Sequence, residues 1–212
     1  MSERREIPYN YTSFSDREIV CRFLGDEAWE TLETLRGQRV TGRSARMLFE
    51  VLGDLWVVAR NPYLQEDLSS DSKRRRALWQ ALEHRLDEIA QRAEGNALVL
   101  QLLDRCRGAK QRFIANFDAE RELRKRAGQA LAKVSPKDHV DFSPYARVAH
   151  VTDASDWRVE LPLVVLYPAT EAELAEQVRV CRELQLAIIP RGGGTGYTGG
   201  AIPLTPRSAV IN

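Results

Sequence analysis

The chain is poor in cysteine: of 212 residues only three are Cys, at Cys21, Cys106 and Cys181, far apart and without a CxxC pair. An odd, scattered set excludes a disulfide framework or a four-thiolate metal site built from this chain alone, and a reducing cytoplasm is the expected compartment. Long apolar runs are lacking too. None reaches the ~18 residues of a membrane-spanning helix. The N-terminus, MSERREIPYNY, is charged and has no apolar signal core. Charge of one sign is also missing: 31 basic against 30 acidic residues leave +1. That balance argues against a protein whose main work is wrapping nucleic acid or coating an anionic membrane. No internal repeat or low-complexity tract interrupts the chain. What remains is 43% hydrophobic and 29% charged, a globular composition sized for one large domain or two small ones.

From about Ser15 to Lys133 the pattern predicts helices. Ser15 followed by Glu18 is a capping box, Phe14 and Ile19 stand at hydrophobic-staple positions, and Gly25 can close the helix. A second helix is predicted over Asp26–Arg36, ending before Gly37. A third runs over Ser44–Arg60, with Leu48, Leu52, Leu55 and Ala59 on one face. The stretch NPYLQEDLSSDS reads as a break, because Pro62 cannot continue a helix interior. The next helix spans Ser72–Glu94, where Leu78, Leu82, Leu86, Ile89 and Ala93 form one stripe, and Gly95 ends it. A long helical stretch follows from Leu98 to Lys133; Gly108 and Gly128 argue against a single unbroken rod. Lys73 to Arg76 are expected as a solvated first turn, His84 as exposed, and Trp29, Trp56 and Trp79 as core. This half shows caps and stripes and no evident chemistry.

The texture changes at VSPKDHVDFSPYARVAHVTDASDW. Pro136 and Pro144 oppose continuing helix, so the segment reads as a linker or irregular lead-in. His139 and His150 lie near Asp138, Asp141 and Asp153, but the spacing has no helical or hairpin logic and no metal site is assigned. Asp153 and Ser155 could equally form a turn or approach a ligand. LPLVVLYP is then a short buried strand. Thr170 and Glu173 form a capping box for a helix whose apolar face is Leu174, Val178, Cys181 and Leu184. LAIIP is a second buried strand, parallel to the first across a right-handed crossover. Cys181 is expected as a buried small hydrophobe.

Directly after that strand comes PRGGGTGYTGG. Six of the 13 glycines fall between Gly192 and Gly200, and each loses more backbone entropy on folding than any other residue. Bare backbone lets successive N–H groups form a concave nest for phosphate, and ligands of open α/β sheets bind beyond the carboxyl ends of strands. Arg191 adds a fixed charge; Thr195 and Thr198 add hydroxyls. Gly194, Gly196 and Gly199 match GxGxxG, but that fingerprint needs a helix immediately afterwards. Pro203, Pro206 and a strand-like SAVIN follow instead. No Lys-Ser or Lys-Thr pair completes a P-loop either. What fits is an anion-cradling loop between two strands.

The run YPATEAELAEQVRVCRELQLAIIPRGGGTGYTGGAIPL closely resembles the start of the FAD-binding domain of the vanillyl-alcohol oxidase / p-cresol methylhydroxylase superfamily. The branch it resembles most is that of the D-lactate, glycolate and D-2-hydroxyglutarate dehydrogenases. The upstream TDASDWRVELPLVVLYP is similar to the lead-in of that branch. By resemblance, Arg191, Gly192, Gly193, Gly194, Thr195, Gly196, Thr198, Gly199 and Gly200 are the positions that hold the FAD pyrophosphate. Tyr197 lies in the motif without an assigned role. The beginning REIPYNYTSFSDREIV resembles the N-terminal domain of very long bacterial proteins that carry an FAD dehydrogenase module and then an iron–sulfur module.

The expected fold class is α+β: a helical N-terminal domain over residues 1–135, a lead-in over 136–158, and the first part of an FAD-binding domain over 159–212. The resemblance implies an N-terminal fragment of an FAD-dependent oxidoreductase acting on a D-2-hydroxy acid. The hydride would pass from the substrate's C2 to flavin N5, and electrons would go on to an iron–sulfur module outside this chain. No catalytic or metal-ligating residue is assigned here, and the electron acceptor is open. Neither a nucleic-acid partner nor a transmembrane segment is expected. The implied location is cytoplasmic, with peripheral seating on the inner membrane left open for the longer protein. The rival reading makes the helical domain a docking or regulatory module beside a flavin domain.

Overall fold

The structure is a computed structural model that describes residues 15–155 and 157–212. The class is α+β, and the chain divides into two compact units at Phe117/Asp118. The first unit is helical: α1 (Asp16–Leu24), α2 (Asp26–Arg36), α3 (Gly42–Arg60), α4 (Pro62–Ser70), α5 (Ser72–Arg92) and the leading part of α6 (Ala97–Leu131). Local chemistry sets its boundaries. Ser15 Oγ accepts from the Glu18 amide at 3.2 Å and opens α1; Gly25, at φ +89°, closes it and turns into α2. The staple partner Phe14 lies outside the described residues.

Two sequence expectations change here. The stretch after Asn61 is a helix, not a break: Asn61 Oδ1 accepts from the Tyr63 and Leu64 amides at 3.0 and 3.2 Å, and Pro62 occupies the first turn. There its missing N–H has no intrahelical partner to lose. The second is α6, one helix of 35 residues that continues through Gly108 and Gly128. A glycine inside a helix costs about 1 kcal/mol, which burial of Val99, Leu102, Leu103 and Cys106 offsets. The basic run Lys73–Arg76 opens α5 against the helix dipole, but Asp71 caps the helix through the Lys73 and Arg74 amides and Asp67 pairs with Arg74 at 2.9 Å. The unit's core brings Leu48, Leu52 and Leu55 of α3 against Leu82, Leu86 and Ile89 of α5. Trp56 is buried there, with Trp29 and Trp79 packed beside it, and His84 is exposed.

The second unit, from Asp118 to Asn212, holds the end of α6, a 3₁₀ turn (Lys137–His139), β1 (Val140–Asp141), α7 (Pro144–Ala149), β2 (Val164–Leu166), α8 (Glu171–Glu183), β3 (Ala187–Pro190) and β4 (Ser208–Ile211). The lead-in thus supplies a strand and a short helix, with Pro144 at the helix's first turn. The sheet order is β1-β2-β4-β3. β1 runs antiparallel to β2, while β2 and β3 both run parallel to β4. The strands predicted at LPLVVLYP and LAIIP are therefore parallel but not neighbours; β4 lies between them. All four residues of β4 are buried, whereas Ala187 and Pro190 at the ends of β3 are exposed. LAIIP is thus an edge strand rather than a buried one. Pro190 is tolerated there because an edge strand need not donate along its outer side.

Side chains alternate across the sheet. Val164, Leu166, Ala209 and Ile211 face α8 and the end of α6, where Cys181 and Leu131 are fully enclosed. Val165 and Val210 face Ala146 of α7. On α8, Thr170 Oγ1 accepts from the Glu173 amide at 3.2 Å, and Glu173 accepts from the Ala169 amide at 2.9 Å. The buried side of α8 is rotated from the predicted stripe: Gln177, Val180 and Cys181 are enclosed and Leu174 is exposed. Gln177 explains the rotation. Its amide donates to Ser135 Oγ at 2.8 Å and to Glu173 at 3.2 Å, so a polar side chain occupies the position facing the 135–139 turn.

Candidate functional site

The parallel strands β2, β4 and β3 end side by side. The Asn212 amide donates to Leu166 O at 2.9 Å, and the Arg191 amide to Ile211 O at 2.8 Å. Residues 191–207 leave this edge from β3 and return to the start of β4, as a connection between parallel neighbours must. No helix forms among them, and the connection enters β4 directly, which is why a dinucleotide fingerprint does not fit here. The return is anchored by buried Ile202, by the Glu160 amide on Pro203 O at 3.1 Å and by Ser208 Oγ on Thr205 O at 2.8 Å.

The glycine segment itself is open. Gly192, Gly193, Thr195, Gly196, Thr198 and Gly200 are exposed, as is Tyr197. Among the described residues, none of the amides from Gly192 to Gly200 donates a hydrogen bond. Two glycines hold the shape. Gly194 (φ +66°) and Gly199 (φ +72°) are half-buried in the left-handed region, where a side chain is strained. A Cβ on Gly199 would stand 2.8 Å from Trp157 Cε3; one on Gly194 would stand 2.7 Å from Arg191 Cζ. Gly192 and Gly196 face open space. The glycines thus serve two ends, close packing at Gly194 and Gly199 and bare backbone elsewhere.

Arg191 is half-buried, and its Nη1 donates to Thr152 O at 2.7 Å. Asp153 and Ser155 form a turn: Asp153 Oδ1 accepts from the Ser155 amide at 2.9 Å and from the Ser155 hydroxyl. Burial pushes the Asp153 carboxyl up, yet the Ser155 hydroxyl and amide, the Ala201 amide and the Arg191 charge together hold it below the ordinary carboxylate range. The support of the loop by Thr152, Asp153 and Trp157 is the part that sequence reasoning does not supply, since it joins segments about forty residues apart. The histidines are engaged singly. His139 Nδ1 meets Glu173 at 2.9 Å and His150 Nδ1 meets Ala146 O at 2.8 Å. Among the described residues no three His, Cys, Asp or Glu side chains gather for a metal ion. Cys21, Cys106 and Cys181 are free, and burial pushes their thiols up to about 11, 12 and 11. Among the described residues no helix is long and apolar enough to cross a membrane.

Residues 2–115, more than half of the 212, match the family described as "Protein of unknown function (DUF3683)". The chain belongs to that family. Residues 162–212 match a second family, described as "FAD binding domain", so the stretch from β2 to the end of β4 is related to FAD-binding domains. Two curated relatives are similar in the same way. "Glycolate oxidase subunit GlcD" of Bacillus subtilis (strain 168) is 31% identical over 75 residues, 35% of this chain and 16% of that protein. "Probable D-lactate dehydrogenase, mitochondrial" of Danio rerio is 31% identical over 84 residues, 40% of this chain and 17% of that protein. The chain therefore spans under a fifth of the length of either relative.

A pyrophosphate needs several donors and close backbone approach, and Gly192–Gly200 offers amides without an acceptor among the described residues, on bare and mostly exposed backbone with two threonine hydroxyls among them.

Proposed function

We propose that residues 159–212 form the first part of a flavin-binding domain in which Gly192, Gly193, Gly194, Thr195, Gly196, Thr198, Gly199 and Gly200 hold the FAD pyrophosphate, with Arg191 at the loop's entrance. The observation that carries this reading is the row of amides from Gly192 to Gly200 that donate to no acceptor among the described residues, at the carboxyl edge of parallel strands. The family match over residues 162–212 supports it. A bound flavin would supply hydride acceptance; this chain's own residues would orient it. The whole protein is proposed to oxidise a D-2-hydroxy acid, in line with the names of the two relatives. Electrons would pass to an iron–sulfur module. This chain's cysteines are scattered and their thiols raised, so the cluster's ligands belong elsewhere. A cytoplasmic setting is proposed with it.

The test is the absorption spectrum of the purified whole protein. A flavin spectrum bleached anaerobically by D-lactate, glycolate or D-2-hydroxyglutarate is the expected result. A colourless protein that cannot be reconstituted with FAD overturns the cofactor assignment; a flavin spectrum indifferent to all three acids overturns the substrate class. A second reading concerns the helical unit, which has its own core and caps and carries most of the first family match. It is proposed as a docking or regulatory module, and its removal should leave flavin content unchanged.

A further inference from the structure

A guanidinium at the entrance of a phosphate-binding loop is expected to meet the phosphate. The surroundings of Arg191 point inward instead. Nη1 donates to Thr152 O at 2.7 Å. The guanidinium lies over the α-carbon of Gly194, where a Cβ would come within 2.7 Å of Cζ and 3.1 Å of Nε. Gly194 is left-handed, and its carbonyl accepts from the Ala154 amide at 3.1 Å. Residues 152–154 thus grip the loop twice, through Arg191 and through Gly194 O.

Between these two grips sits Asp153, only 6% exposed. Its Oδ1 is taken by Ser155. Its Oδ2 is enclosed and makes no hydrogen bond of normal geometry among the described residues, the Ala201 amide falling short of one. A buried carboxylate without compensation costs several kcal/mol. The Ser155 hydroxyl and amide do most to keep the carboxyl ionised, with smaller help from the Ala201 amide and the Arg191 charge. Deleting the Arg191 side chain removes both the bond to Thr152 O and the packing over Gly194.

We infer that Arg191, bonded to Thr152 O and packed over Gly194, and the Ala154–Gly194 hydrogen bond form an internal brace, its 152–155 side held in shape by the Asp153–Ser155 turn, that sets the glycine loop before any ligand arrives, which makes Arg191 a positioning residue and leaves the anion to the Gly192–Gly200 amides and the Thr195 and Thr198 hydroxyls. The ligand half of this inference rests on the flavin reading above; the brace itself does not.

Three variants of the chain test it: Arg191→Gln, Arg191→Lys and Asp153→Asn. Amide hydrogen exchange without ligand reads the brace. Loss of a hydrogen bond to a charged group corresponds to about tenfold, so Arg191→Gln should speed exchange at Ala154 by about that factor. Arg191→Lys should act almost as strongly, because an ammonium cannot both reach Thr152 O and cover Gly194 with a flat head. Unchanged exchange at Ala154 overturns the brace. Amides of Leu86 and Ile89 in the helical unit serve as the internal standard for intact folding.

Binding of inorganic pyrophosphate and of FAD reads the consequence. Asp153→Asn removes a negative charge beside an anion site, so direct electrostatics would tighten binding. The brace predicts weaker binding by about tenfold; equal or tighter binding overturns it. Arg191→Lys should fail to restore affinity, whereas a Lys variant that binds as the parent does would make residue 191 a phosphate ligand. If the whole protein with its parent sequence takes up neither pyrophosphate nor FAD, the flavin reading fails, and the exchange rates still decide the brace.

Discussion

Gly196→Val and Gly199→Ala separate the two uses of glycine in the loop. At Gly199 the backbone is left-handed (φ +72°), and a Cβ would sit 2.8 Å from Trp157 Cε3. The left-handed conformation costs a non-glycine residue about 1–2 kcal/mol. Carbon atoms pack at about 3.5–4.0 Å, so the Trp157 ring must also move. That ring is 46% exposed and can swing outward, which limits the added cost to about 1 kcal/mol. Gly199→Ala should therefore cost about 2–3 kcal/mol in total. Gly196 has no protein atom within 4 Å of its would-be Cβ and is not in the left-handed region. Substitution there should change stability by less than about 0.5 kcal/mol.

Native-state hydrogen exchange at the β4 amides, Ala209 to Ile211, reads the opening free energy of this unit. Gly199→Ala should raise those rates about thirtyfold for each 2 kcal/mol, and Gly196→Val should leave them unchanged. FAD affinity should show the opposite emphasis for Gly196→Val. Its side chain stands in the space offered to the ligand, and an overpacked contact of about 1–3 kcal/mol weakens binding about fivefold to a hundredfold. A Gly196→Val chain that binds FAD like the parent, or a Gly199→Ala chain that exchanges like the parent, would refute this division of labour.

Other substitutions test the scaffold. Asn61→Ala removes the cap of α4 and should destabilise the helical unit by about 1 kcal/mol, read by urea unfolding with an unchanged slope. Leu86→Ala opens a cavity at a fully enclosed position and should cost about 2–5 kcal/mol by the same measurement. Glu173 is held below its ordinary value of 4.5 chiefly by the Ala169 amide and also by His139, against the effect of burial. Its contribution is therefore complete above pH 4.5 and is lost as pH falls through the lower folded value. Glu173→Gln should flatten the acid side of the stability profile of the 118–212 unit; an unaltered profile would contradict the network around α8. Cys106 and Cys181, enclosed and with thiols near 12 and 11, should react with a thiol reagent at pH 8 only on unfolding.

Much of the helical unit is legible from its residues because caps are local chemistry: Ser15 and Gly25 act within four positions of themselves, as Thr170 does at the start of α8 in the other unit. The rejection of a dinucleotide fingerprint is legible for the same reason, since Pro203 and Pro206 bar a helix at once. Pro62 shows where local reading misleads. The same ring that breaks a helix interior starts a helix when Asn61 stands before it. Leu174 shows another limit, because the orientation of α8 follows the polar contact of Gln177 with Ser135, forty-two positions away. The edge position of β3 is equally non-local, for it depends on β4 entering between β2 and β3. In the loop, the glycine density points to anion chemistry. The inward turn of Arg191 toward Thr152 does not show in the sequence, where a charge beside glycines looks like a ligand.

The central claim is that the Gly192–Gly200 amides meet the cofactor's phosphates. Hydrogen exchange of those amides with and without saturating FAD measures it most directly. The account predicts slowed exchange across Gly192–Gly200, reproduced in part by inorganic pyrophosphate, with the helical unit unaffected. Failure of FAD to bind, or FAD bound while these amides exchange as in the free chain, would contradict it.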